Sequence, residues 1–347
     1  MSAVHYGRLF MHRDVTIYAP FLLENQMRIA SVEIPGRIFL APLAGYTSWP
    51  FRRLCRRFGA ALATAEVVKA RDLLRGIPAT LQVLDFKPDE HPIAGQLLAA
   101  DPAEAGEGAA RLGEMGFDIV DLNCGCPKRR VLSDGMGGAL MASPEQVEKI
   151  VAQMVRRAKT PVTVKIRAGR FKGQPTAVET ARRCEGAGAA AICVHPRPAE
   201  GAATAPPDWR IIAEVKRAVS IPVTGNGGIH TPADVARLFR ETGCDAVAVG
   251  QAALGRPWIF RQAAALLEDG RETPPPSQAE IRAALLDHYR GLVAHQGERR
   301  GTISMRKQSC HYAKHLARGK AFNLAVIKAS SQNEFMEAVR RYLISDY

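Results

Sequence analysis

Eight short apolar runs recur along this chain with stretches of helical character between them, and that alternation constrains the fold more than any other feature. The runs cover residues 37–45, 62–68, 92–98, 119–125, 162–169, 191–197, 222–229 and 246–254. Helical patterning fills most gaps, for example over 144–159 and 232–242. Near-continuous apolar strands that alternate with helices read as a parallel sheet covered on both faces. Eight such units predict an α/β fold, a (β/α)8 TIM barrel. The competing open, doubly wound sheet is disfavoured, because no Gly-x-Gly-x-x-Gly follows the first run. A length of 347 residues suits one barrel of roughly 250 residues with an appendage.

The division expected is an N-terminal extension of unassigned role over 1–27, a barrel over 28–267, a linker over 268–277 and a helical domain over 278–347. The linker holds three prolines and several charges. The helical tail carries Arg299, Arg300, Arg306, Lys307, Lys314, Arg318, Lys320 and Lys328, with His311, Tyr312 and His315 interleaved. Basic residues among aromatics suit a surface that tracks phosphates. The plainer reading is a solvated helical face. A formal net charge of +13 favours polyanionic partners, nucleic acid first.

The seven cysteines are scattered and odd in number, which argues for a reducing, cytoplasmic compartment rather than a disulfide framework. Cys124 and Cys126 have no second pair to complete a zinc site, and Cys310, His311 and His315 lack an acidic or cysteine partner. No metal is expected. No run approaches about 18 apolar residues, so neither a spanning helix nor a membrane partner is expected.

Polar residues gather where the apolar runs end, the face on which barrels place their active sites. The run 118–122 leads into Asn123-Cys124-Gly125-Cys126-Pro127, with Gly135, Gly137 and Gly138 just behind. Pro127 stops the strand, and a thiol at that place is set for chemistry. The alternative is a cysteine packed as a small hydrophobe. Lys165 and Arg167 close a later run, His195 and Arg197 the next, and Asn226-Gly227-Gly228 the one after. A lysine within an apolar strand is expensive to bury unpaired, so a shared ligand explains the cluster. Glycines at 225, 227, 228 and 250, beside Gln251, follow the last two strands, where barrels bind phosphate through backbone N–H groups. With Gln96 placed to bond a ring edge and Lys165 to meet negative charge on reduction, the set suits flavin mononucleotide.

These segments resemble the tRNA-dihydrouridine synthases, most closely the bacterial B-type branch. The matching pieces are Ala41 to Gly45 with Thr47, Gln96-Leu97, Asp121 to Pro127, Val164 to Arg167, Val194-His195, Gly225-Asn226-Gly227 and Met305-Arg306-Lys307. The resemblance implies a barrel that binds FMN, a helical RNA-binding domain, and reduction of tRNA uridine to dihydrouridine with NADPH as reductant. It places flavin contacts on Pro42, Leu43, Ala44, Gln96, Lys165, His195, Asn226, Gly227, Gly228, Gly250 and Gln251, and the proton donor on Cys126. The chain departs from the family pattern at Gln251, where an Arg usually stands, and at Gly228, where an Asp often does.

Reducing the uracil C5=C6 bond requires a hydride at C6 and, from the opposite face, a proton at C5. Thiols are largely protonated at neutral pH and can donate. Cys126 is the expected donor, and Cys124 alternates to the other side of the strand. Asn123 is expected at the uracil edge, Arg167 at uracil or a phosphate, and Arg306 and Lys307 as further substrate contacts. A monomer is expected. Three rival readings stay open: a flavin barrel acting on a small pyrimidine, such as a dihydroorotate dehydrogenase; an RNA-binding protein built on an old barrel; and ribosomal RNA as substrate.

Overall fold

A computed structural model describes residues 26–201 and 206–344. Residues 1–25 of the expected N-terminal extension lie outside the described residues. Among the described residues, eleven strands are formed: β1 (Met27–Ile29), β2 (Val32–Ile34), β3 (Ile38–Leu40), β4 (Leu62–Thr64), β5 (Val68–Lys69), β6 (Ile93–Leu98), β7 (Ile119–Cys124), β8 (Val162–Arg167), β9 (Ala191–His195), β10 (Val223–Asn226) and β11 (Ala246–Val249). From β3 onward they pair in parallel, and β3 pairs with β11 while β4 pairs with β6, so the sheet closes. Counting β4 and β5 as one interrupted strand, the result is a closed eight-stranded (β/α)8 barrel.

The interruption revises one expected strand. Residues 62–68 form two pieces, both paired to β6, with Ala65 still donating to Ala94 O. Glu66 explains the break: a carboxylate in the middle of an apolar run leaves the ladder and turns to the amide of Gly45. Apart from β6, which reaches the end of its run at Leu98, the remaining strands end earlier than the apolar runs, because the run ends are loops rather than sheet.

β1 and β2 form an antiparallel hairpin ahead of the barrel. Ile29 and Ile34 are buried with Phe39, Leu62, Ala94, Ile119, Ala191 and Ala246. Most of these open their strands, so the hairpin plugs the N-terminal end of the barrel. Chain-order helices, such as Pro102–Glu114, Pro144–Arg157 and Pro232–Thr242, cover the outside. Pro at each first turn suits a position whose N–H has no helical partner.

Helix Ile259–Asp269 runs into the proline-rich segment, and Ser277 then caps helix Gln278–Gln296 by accepting from Glu280 N. Helices Glu298–Tyr312, Gly319–Val326 and Gln332–Val339 follow. Their core contains Tyr289, Met305, Tyr312, Phe322 and Phe335, and it also takes in Leu54 and Trp258 from the barrel side. Phe51 stacks on His288 at 5.2 Å between centroids. The tail is therefore packed onto the barrel through shared apolar surface. Among the described residues no helix is long and apolar enough to cross a membrane, and none of the seven cysteines is in a disulfide.

One buried ion pair ties the helix after β3 (Trp49–Arg57) to the segment before β6. Arg52 and Glu90 are both fully buried and meet in a fork at 2.8 and 3.3 Å. The same guanidinium donates to Thr47 O and Asp85 O, and Glu90 also accepts from Lys87 N. Removing one partner leaves the other charge stranded in a dry site. Arg52→Ala is expected to destabilise the protein by about 3–5 kcal/mol, read as a shift of the denaturant midpoint.

Candidate active site

Strand register decides which polar residues meet. Gln96 lies opposite Asp121, and Asp121 opposite Thr163. The next layer sets Asn123 against Lys165 and Lys165 against Cys193, and the last sets Arg167 against His195. Residues two apart share a face, so this whole set points into the barrel. Their alternates, Val120, Leu122, Cys124, Val164, Ile166, Ile192 and Val194, form the apolar layer under the helices.

The cysteine loop is anchored from below. Asn123 Oδ1 accepts from the amides of Gly125 at 3.0 Å and Cys126 at 2.8 Å. Asn123 Nδ2 donates to Gln96 Oε1 at 2.8 Å, and Gln96 Nε2 donates to Asp121 Oδ2 at 2.7 Å. Thr163 Oγ1 donates to the other carboxylate oxygen at 2.6 Å. From the outer side, Gly138 N donates to Cys126 O at 3.0 Å, and Arg167 Nε to Gly125 O at 2.9 Å. Gly137, at φ +59°, comes close to the loop; a Cβ there would lie 3.0 Å from Cys126 Cβ. Cys126 is left partly exposed, whereas Cys124 is buried and its thiol is held well above the ordinary range by burial.

Two expected contacts therefore have structural partners. Gln96 is fully buried, and both ends of its amide are engaged by Asp121 and Asn123. Asn123 is likewise engaged at both ends, by the loop and by Gln96.

Lys165 donates to Asn226 Oδ1 at 2.8 Å, and Asn226 Nδ2 donates to Ala248 O at 2.7 Å. Burial lowers the Lys165 pKa; Arg167 lowers it further, against Cys193 and Asp121. Burial raises the Asp121 pKa, opposed by its bonds from Thr163 and Gln96 and by Lys165. Burial and then Arg197 bring Arg167 down to about 10. His195 is pushed down to about 2 by burial, with Lys165, Arg167 and Arg197 adding to it. Its Nδ1 faces Arg167 at 3.3 Å and the Arg197 amide at 3.4 Å, so the neutral ring carries its proton on Nε2.

The last two strand ends form a cradle of backbone donors. Gly227 and Gly228 have φ of +97° and +76°. Trp209 Nε1 donates to Gly227 O at 3.0 Å. A Cβ on Gly228 would stand 2.5 Å from Pro207 Cγ, which explains why no side chain occupies that place. Gly250 faces Leu43, which brings the loop after β3 beside this end. Among the described residues, the amides of Gly227, Gly228 and Gly250 donate no hydrogen bond. Unpartnered amides at neighbouring strand ends attract anions.

The loop that carries Pro42, Leu43 and Ala44 is pinned by Thr47 and Lys307, which the sequence had marked, and by Glu66, which it had not. Thr47 Oγ1 accepts from Leu43 N, and Glu66 accepts from Gly45 N. Lys307 donates to Gly45 O at 3.0 Å and lies 3.5 Å over the Tyr46 ring. Tyr46 in turn meets His311 edge-on. Lys307 thus reaches the barrel mouth, whereas Arg306 does not: its guanidinium donates to Ala329 O and Lys328 O within the tail. Glu66 was legible as a charge inside an apolar run. Thr163 was legible as the residue two before Lys165, on the same face.

With this geometry established, comparison with known proteins decides the family. The profile of the dihydrouridine synthase (Dus) family matches residues 39–345. The chain belongs to the dihydrouridine synthase family. It is 36% identical over 319 residues to tRNA-dihydrouridine synthase B of Xanthomonas axonopodis pv. citri, covering 91% of this chain and 95% of that one. Identity to tRNA-dihydrouridine synthase B of Pseudomonas aeruginosa is 34% over 316 residues, with the same coverages. A probable tRNA-dihydrouridine synthase of Mycobacterium tuberculosis is 35% identical over 321 residues, covering 89% of this chain and 82% of the relative.

Two predictions follow from the site's charges and contacts. His195 stays neutral in the folded protein but takes up a proton near pH 6.5 when unfolded. The unfolded state then binds more protons, so stability falls as pH drops below 6.5, by up to about 1.4 kcal/mol per pH unit. Denaturant unfolding at about pH 7 and about pH 5.5 should show that share of acid sensitivity missing in His195→Gln. Lys307→Met is expected to speed amide exchange at residues 43–47 several-fold, measured by hydrogen-exchange mass spectrometry.

Proposed function

We propose that this chain reduces the C5=C6 bond of uridines in tRNA to give 5,6-dihydrouridine, with FMN as cofactor, NADPH as its reductant and Cys126 as proton donor. Family membership and the names of its relatives support the reaction and the tRNA substrate. One observation carries the assignment of the acid. Cys126 is held at the rim of a polar barrel interior, its own amide and that of Gly125 both donating to Asn123 Oδ1, directly above the layer of Asn123 and Lys165.

The residues present fit a flavin mononucleotide. The amides of Gly227, Gly228 and Gly250 offer donors for its phosphate, with Asn226 and Gln251 beside them. Pro42, Leu43 and Ala44 would border the ring, since Leu43 faces Gly250 across the mouth. Gln96 and Lys165 would meet its polar edge, with His195 as a neighbour. Bound and reduced, the flavin would supply the hydride for uracil C6.

The protein's own residues then have defined tasks. Cys126 Sγ holds the proton for C5 and becomes a thiolate when it donates; a proton from solvent restores it. Lys165, kept among polar groups in a desolvated interior, faces negative charge at a place where its attraction is little screened. Neutral His195 offers an N–H on Nε2 without adding another positive charge beside Lys165 and Arg167. Arg167 braces the cysteine loop through Gly125 O and keeps further donors for uracil or phosphate. The exposed basic residues of the tail, Arg299, Arg300, Lys314, Lys320 and Lys328, would track the tRNA backbone.

Cys126→Ala is expected to bind FMN and oxidise NADPH at the wild-type rate while forming dihydrouridine about 10²–10⁴-fold more slowly. Mass spectrometry of unmodified tRNA incubated with protein, FMN and NADPH checks this. Wild-type product levels from the variant would remove Cys126 from the mechanism, and product in ribosomal RNA alone would move the substrate.

A further inference from the structure

We propose that Asp121 is a positioning residue that sets the Cys126 loop through two buried amides, and that Thr163 holds Asp121 in that task. The proposal rests on the reading of Cys126 as proton donor.

Donor and acceptor polarity fixes how these side chains can be arranged. The loop presents two N–H groups, from Gly125 and Cys126, to a single side-chain atom. Only an oxygen can receive both, so Asn123 must turn Oδ1 to the loop and Nδ2 away. Nδ2 then needs an acceptor, which fixes Gln96 with Oε1 towards Asn123 and Nε2 towards Asp121. Nε2 in turn needs an acceptor, and an ionised carboxylate is one on every face. Turning either amide over sets oxygen against oxygen at one end and nitrogen against nitrogen at the other. The chain closes without mismatch in one arrangement only.

Burial makes this consequential. Gln96 is fully buried, and Asp121, Asn123 and Thr163 are 6%, 7% and 8% exposed. Water is not at hand to replace a lost partner, so an unmade bond carries its full desolvation cost. Thr163 completes the arrangement by donating to the second carboxylate oxygen at 2.6 Å, which fixes the rotation of Asp121. Asp121 lies on the strand that carries the loop, and Gln96 and Thr163 lie on the strands either side. Three adjacent strands thus converge on the position of one thiol. A donor must meet its acceptor atom within a fraction of an ångström, and small displacements reduce rates steeply.

The test uses full-length protein loaded with FMN and follows two readouts across Thr163→Val, Asp121→Asn and Asp121→Ala. One is hydrogen exchange of a peptide spanning residues 122–128. The other is single-turnover formation of dihydrouridine, with NADPH-driven flavin reduction and the tRNA KM measured alongside. Asp121→Ala is expected to raise exchange at least tenfold and to slow product formation on the order of 10–100-fold, with flavin reduction and the tRNA KM within about twofold of wild type. Asp121→Asn keeps an oxygen towards Gln96 while its amide donates to Thr163, and should recover most of both losses. Thr163→Val should fall between, with the two readouts moving together. If Asp121→Ala does not fold, the same correlation across Asp121→Asn and Thr163→Val decides. Unchanged exchange with slowed flavin reduction would overturn the proposal and make Asp121 a counter-charge to Lys165. Loosened exchange with normal product formation would also overturn it. Since exchange is read without turnover, loss of the Cys126 assignment would leave that half of the test standing.

Discussion

Closing a parallel sheet into a barrel sends every second residue of eight strands into one shared interior, where water is scarce and each polar group must find its partner among the others. In this chain the lower part of that interior is filled by Phe39, Leu62, Ala94, Ile119, Ala191 and the plugging hairpin. The part towards the mouth is polar, with Gln96, Asp121, Asn123, Thr163, Lys165, His195 and Asn226 bonded to neighbours on adjacent strands or loops. Everything proposed for the site depends on that change from packed hydrocarbon to hydrogen-bonded polar groups along the same strands.

The electrostatics of the mouth follow from the same enclosure. Burial lowers Lys165 and Arg167 and keeps His195 neutral, and the neighbouring positive charges, poorly screened there, add to it. Asp121 is the acidic group set among them, one layer deeper. The opening is left electropositive beside a row of backbone donors, a place suited to a phosphate and to negative charge generated on a substrate ring. The tail adds to it from the side. Lys307 meets the loop after β3 from one face while Glu66 holds it from the other, so the helical region and the barrel fix one turn between them.

Much of the fold was legible because it depends on local pattern. Apolar runs alternating with helical stretches and glycine-rich strand ends gave the barrel, and the proline-rich, charged segment 268–277 marked the start of the tail. The broken second strand was less so: Glu66 stands out as a charge within an apolar run, but its partner Gly45 lies 21 residues away. Within the site, alternation could not separate Cys124 from Cys126, because residues two apart share a face; they part because β7 ends at Cys124, on its outer face, and Cys126 lies past that end. Gln96, Arg306 and Lys307 were recognised as polar residues in notable places, but their partners lie at sequence distances that no local pattern reports, as does Gln96 for Asn123.

The sequence by itself determined that eight strand–helix units alternate, that a thiol follows one strand and a lysine the next, and that the chain carries a strong positive charge. Those are consequences of periodicity, turn chemistry and composition, which act over a few residues at a time. Only the tertiary structure decided which polar groups meet. Register between strands 25 to 42 residues apart set Gln96, Asp121 and Thr163 in one layer, and packing 262 residues along the chain brought Lys307 to Gly45. A hydrogen bond depends on the last few tenths of an ångström between two atoms, and that distance is fixed by closing the barrel rather than by either residue's own neighbours.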